Sequence, residues 1–250
     1  MRGFAAIVKV SLRQALGGKR VIVLGLLGLV PTLVMWLSSR NLTAGAAARR
    51  FYDAPFGILF LMVLPVCALV IGSGTMGDER RDGTLSFLLL RPMRRWVIVT
   101  AKFVAAWVAS TTIVAASGLL AAITLGARSG DYAATGPIVL AVAISSAVYV
   151  AVFMLLGYLT SRAVLIGLVY VFIWESSITF AAAGLANVSL FRIGVTAYAA
   201  LVPASRQPLN EVLGSLAPGA WGAMAKAVVI TTLAVLALAS LLRRRDALSE

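Results

Sequence analysis

Apolar positions along the chain fall in long unbroken runs rather than in strand-like alternation or narrow helical stripes. The runs lie at roughly 21–38, 55–76, 99–125, 137–160, 163–185 and 221–242. A helix needs about twenty such residues to cross the hydrocarbon core of a bilayer. The pattern therefore predicts an all-α integral membrane fold with six transmembrane helices. Gly and Pro inside the runs fit this reading, because neighbouring helices in a membrane satisfy the backbone groups they free. Residues 1–20 have a different pattern. Phe4, Ile7, Val8, Leu12, Ala15 and Leu16 recur near helical spacing, with Arg2, Lys9 and Arg13 on the other side. They predict an amphipathic helix lying in the membrane surface, set apart from a six-span membrane domain over 21–250. A signal peptide cleaved near Ala44-Gly45-Ala46 is the rival reading. The basic stretch is about twenty residues long and the next run exceeds an ordinary signal core, which favours an uncleaved helix.

Composition sharpens the class. Hydrophobic residues are 61% of 250 positions and charged residues 12%, more apolar surface than a soluble core of this length hides. The net charge of +13 comes from Arg and Lys at the ends of apolar runs, not along one polar face. That placement points to the lipid bilayer as the surroundings and away from nucleic acid. With the N-terminus inside, 15 basic residues fall on cytoplasmic segments and 7 outside, Arg128, Arg192 and Lys226 among the outer set. An even span count then places both termini in the cytoplasm. The single Cys67 sits in an apolar run, so there is no disulfide framework. Histidine is absent, which removes Ser-His triads, His general bases and the usual metal sites.

Two connections are long enough to act. One, about 77–98, lies on the predicted cytoplasmic side; the other, about 186–220, lies outside and carries Pro203, Pro208 and Pro218. The outer one is too broken to span and too apolar to be a free loop, so short re-entrant helices are expected. The cytoplasmic one runs Gly77-Asp78-Glu79-Arg80-Arg81-Asp82-Gly83-Thr84-Leu85-Ser86-Phe87-Leu88-Leu89-Leu90-Arg91-Pro92. It reads as a charged cluster, a glycine hinge and a short helix capped by Asp82 or Thr84 and stopped by Pro92. Leu85, Leu88 and Leu89 form an apolar stripe on that helix. Such a helix suits docking into a groove on a partner protein; a solvated, positively charged loop is the plainer reading of the same residues.

The run from Gly77 to Lys102, with Glu79, Gly83-Thr84-Leu85, Pro92, Arg95 and Lys102 in order, resembles the first cytoplasmic loop of type-2 ATP-binding-cassette permeases. The resemblance extends over the amphipathic N-terminus and the six runs. Gly167 to Glu175 is also similar to a tryptophan-glutamate segment of some of these permeases. It implies a half-transporter that pairs with a second permease subunit, most simply as a homodimer, and docks a cytoplasmic ABC ATPase subunit through the loop. Glu79, Gly83, Thr84, Leu85, Leu88 and Pro92 would then form the ATPase-coupling site. The chain itself holds no cofactor under this reading, and ATP and Mg belong to the partner ATPase. Consistent with that division, no Gly-x-x-x-x-Gly-Lys-Ser/Thr phosphate loop is present: Gly17-Gly18-Lys19-Arg20 has Arg13 and Arg20 at two required positions.

Glu175 is the one carboxylate well inside a predicted span, in its outer half. Such a group costs about 2–3 kcal/mol to insert and faces the bundle interior or water. It lines a substrate path or gate, or it makes a packing hydrogen bond; the sequence leaves both open. A lone deep carboxylate without His supports no intramembrane hydrolase, so the expectation is a transport subunit and not an enzyme. Export of a hydrophobic or amphipathic cargo by alternating access is the expected activity. The alternative is a scaffold or sensor that transmits ATPase motion without moving cargo.

Overall fold

The computed structural model describes residues 2–83, 94–178, 189–202, 209 and 219–246. All described secondary structure is helical. Helices α1 (Arg2–Ala15), α2 (Lys19–Gly28) and α3 (Val30–Ser38) come first, followed by α4 (Ala44–Asp53), α5 (Pro55–Ile58) and a π turn over Leu59–Val63. Next are α6 (Leu64–Arg81), α7 (Arg95–Ser129), α8 (Thr135–Leu159) and α9 (Ala163–Val169), which widens into a second π stretch at Tyr170–Ile178. Helices α10 (Leu190–Leu201) and α11 (Ala220–Asp246) follow.

Five helical stretches are long and apolar enough to cross a membrane: Lys19–Ser38, Ala44–Arg81, Arg95–Ser129, Thr135–Leu159 and Trp221–Arg243. They match five of the six expected runs. The remaining run, 163–185, is helical as far as Ile178, and its last residues lie outside the described ones. Proline explains where these helices deviate. Pro31 cannot donate and crowds the carbonyl one turn back, so α2 gives way to α3 at Leu29. Pro65 sits just inside α6, and the π turn before it absorbs the same conflict by bonding five residues apart. The second stretch also starts earlier than the expected 55, because α4 buries Ala47 and Phe51 on one face while Arg49 and Arg50 point outward.

Helix α8 is the hub, packed by α6, α7, α10 and α11. Small residues let α6 and α8 approach: Gly77 lies against the Gly157 backbone, and a Cβ added at Gly157 would collide with the Ser73 carbonyl. Ala101, Ala105 and Ala109 of α7, four residues apart along one face, are fully buried, as small residues at a close helix contact are. Trp107 is part of this packing, its indole N–H donating to the Ala143 carbonyl at 2.9 Å. Trp36 and Trp221 are exposed, as belt residues are. The amphipathic N-terminus forms as α1, ended at Gly17-Gly18, where Gly18 takes φ 79°. Its stripe, with Ile7 at the centre, packs on Ile98 and Ala101 of α7. The same stripe that predicts a surface helix thus ties α1 to the base of the bundle.

Candidate functional site

Helix α6 ends in four consecutive charges, and each has a different job. Glu79 pairs with Lys102 of α7, whose ammonium also donates to the Thr75 carbonyl at 3.3 Å. Lys102 is 1% exposed, and a cation so buried must be paired and hydrogen-bonded. Asp78 bridges Arg81 on its own helix and Arg20 on α2, the latter at 2.6 Å. The Arg80 guanidinium donates to the Tyr158 carbonyl, one of the last of α8 and otherwise without an intrahelical donor, and lies 5.8 Å from the Tyr158 ring centre. Gly83 then takes φ 69°, the left-handed conformation that ends a helix without steric cost.

Three helices are thereby clamped at one end of the bundle: α2 through Arg20, α7 through Lys102 and α8 through Arg80. The connection that starts at Gly83 leaves from this clamp and rejoins the bundle at Arg95, where α7 begins. Of the six expected coupling residues, Glu79 and Gly83 stand at its root. Thr84, Leu85, Leu88 and Pro92 lie outside the described residues. The pairing of Glu79 with Lys102 was not read from the sequence, although both belong to the same motif. The signal was present: Lys102 is a cation inside a run that is otherwise apolar, and Glu79 is the acid nearest the facing helix end.

Glu175 forms a second polar centre. It is 0% exposed, and both carboxylate oxygens are engaged within the chain. The Tyr170 hydroxyl donates at 2.7 Å, the Ser189 hydroxyl at 2.5 Å, and the backbone N–H groups of Leu190 and Phe191 at 2.9 and 3.4 Å. The π stretch makes the first contact, since its five-residue bonding brings Tyr170 and Glu175 to one face. The other contacts cap α10. Ser189 is its N-cap, and the carboxylate meets the N–H groups that have no partner inside the helix, where the helix dipole favours negative charge. Glu175 thus ties the end of one apolar helix to the start of a short one, which the outer connection was expected to supply. The other residues of that connection, 186–188, 203–208 and 210–218, lie outside the described ones.

No curated protein matches the chain in a direct sequence comparison. A family model described as "ABC-2 family transporter protein" matches residues 5–243, from within α1 to the last turn of α11. With a multi-pass helical bundle and a match over nearly its whole length, the chain belongs to the ABC-2 family of transporter permeases, membrane components of ATP-binding-cassette transporters.

Proposed function

We propose that this permease works in the cell membrane with both termini cytoplasmic, as one of two like subunits. A separate ABC ATPase drives it and binds the ATP and Mg. The ATPase docks on the connection over 84–93, with α1 beside it, and the clamp at the end of α6 carries its movement into the spans. The observation behind this reading is the buried Lys102–Glu79 pair: it locks both roots of the connection together, so force on the connection moves α6 and α7 as a unit. Asp78 and Arg80 extend that unit to α2 and α8. Alternating access then follows from tilting of these linked helices as the ATPase pair closes and opens.

The cargo is hydrophobic or amphipathic, and it is exported. In support, Phe103, Trp107, Leu140, Ile144, Met224 and Val228 line a side-facing groove of about 350 Å³ between α7, α8 and α11. Its walls are apolar, the ring planes of Phe103 and Trp107 are parallel within 1°, and its size falls in the range of small-molecule pockets. Glu175 serves the path by holding α10 in place rather than by touching cargo.

The test is co-purification with the ATPase encoded beside the gene, followed by ATPase activity in lipid vesicles. Glu79→Ala should leave the complex intact but uncouple hydrolysis, and Leu88→Asp should release the ATPase. If neither change alters binding or coupling, the connection is not the transmission. A complex that hydrolyses ATP normally but moves no cargo would mark a scaffold or sensor.

A further inference from the structure

Arg192 was counted among the outer basic residues that set orientation, in the connection expected to form short re-entrant helices. It sits in the first turn of one such short helix, α10, and is 7% exposed. Its depth follows from its neighbours. A Cβ at Gly194 would strike the Ser145 hydroxyl near the middle of α8, and would lie 3.0 Å from the ring of Phe60 near the middle of the Ala44–Arg81 stretch. At the other end of α10, Tyr198 packs on Phe56, one turn nearer the start of that stretch. Arg192 precedes Gly194 and therefore lies at membrane depth. Nothing in helix stability explains it there, since a first-turn cation opposes the helix dipole.

Its guanidinium forms no ion pair among the described residues, and its Nε is sealed without an acceptor. One turn on, the Thr196 hydroxyl is also sealed without a partner. Positions 192 and 196 share the face of α10 turned away from Gly194, so both polar groups look away from Ser145 and Phe60. A membrane-buried arginine is costly unless it meets an anion, backbone carbonyls or water. Among the described residues neither an anion nor a carbonyl is bonded to its side chain. The planar guanidinium fork matches the oxygens of a phosphate or carboxylate, and a threonine hydroxyl adds one further donor.

We infer that Arg192 and Thr196 form an oxyanion subsite inside the membrane, which takes the phosphate or carboxylate head of an amphiphile whose apolar tail stays in the surrounding hydrocarbon. The inference rests on the transport reading and narrows its cargo to anionic amphiphiles. Glu175 serves the subsite as a positioning residue, because it fixes the turn that carries Arg192.

The full-length chain, purified in a neutral detergent, is titrated separately with dioleoyl phosphatidylglycerol, dioleoyl phosphatidylcholine and inorganic phosphate. Bound species are read by native mass spectrometry and stabilisation by Tm. Phosphatidylglycerol should bind and raise Tm while phosphatidylcholine does not. Arg192→Met should weaken the anionic lipid about tenfold or more, Arg192→Lys and Thr196→Val by less. The Tm of Arg192→Met without lipid should equal or exceed that of the parent, since an apolar side chain replaces an unpaired buried charge. A purely structural arginine would lower it. A response to inorganic phosphate that Arg192→Met abolishes would identify a free anion as occupant and sustain the subsite. If Arg192→Met binds phosphatidylglycerol like the parent, or both lipids act alike, the inference falls. Should Arg192→Met fail to fold, Thr196→Val and Arg192→Lys decide by the same comparison. A parent chain that shows no anion response but intact ATPase coupling removes this inference alone; a parent that shows the response but no coupling removes the transport reading.

Discussion

Replacing Lys102 by Met keeps the length of the side chain and removes its charge. In the native bundle the ammonium is 1% exposed, paired with Glu79 and bonded to the Thr75 carbonyl. The Glu79 side chain is 20% exposed, so water reaches it in part. Breaking a fully buried pair from one side costs about 3–5 kcal/mol, because the remaining charge stays behind in a poor solvent. Partial access of water to Glu79 puts Lys102→Met at the lower end, about 3 kcal/mol. The converse change, Glu79→Gln, leaves the more deeply buried cation without its counter-charge and should cost more, about 4–5 kcal/mol. For a chain of this size 1 kcal/mol moves Tm by about 2–4 °C, so Lys102→Met should lower it by about 6–12 °C. The double change Lys102→Met with Glu79→Gln should recover most of that loss, because neither charge then remains buried alone. The assay is a double-mutant cycle on the purified chain, by thermal unfolding in detergent, with ATPase stimulation measured on the complex. Singles within about 0.5 kcal/mol of the parent, or losses that simply add in the double variant, would refute the clamp.

Further predictions follow from other contacts. Glu175→Leu removes the acceptor shared by Tyr170, Ser189 and the first N–H groups of α10, and should cost about 1–3 kcal/mol; hydrogen exchange over 189–202 should speed up far more than over 135–159. Gly157→Ala drives a methyl group into the Ser73 backbone, so α6 and α8 must part; a Tm loss worth about 1–3 kcal/mol is expected, against no loss, and a gain of up to about 1 kcal/mol, for Gly25→Ala inside α2, where space is open. Arg20→Ala breaks only an ion pair whose arginine side chain is 60% exposed, and should change unfolding by less than about 1 kcal/mol even at low salt.

The sequence by itself determined the membrane class, the number and rough position of the apolar runs and the amphipathic stripe of α1. It also pointed to the family, through the loop motif between Gly77 and Lys102. These are legible because each depends on a local quantity: the length of an apolar run measured against a bilayer, or the spacing of side chains along one helix. It placed Glu175 inside an apolar run for the same reason. The tertiary structure alone decided what the polar residues do. Whether Glu79 meets Lys102, whether Glu175 caps α10, and whether Arg192 lies in a loop or in the bundle all depend on how helices rotate and slide against one another. Hydropathy carries little of that information, because a helix face turned to lipid and one turned to another helix are both apolar. Arg192 shows the consequence most directly. By charge it counted only as one of the outer basic residues, and the packing of Gly194 on Ser145 and Phe60 sets it among the helices of the bundle.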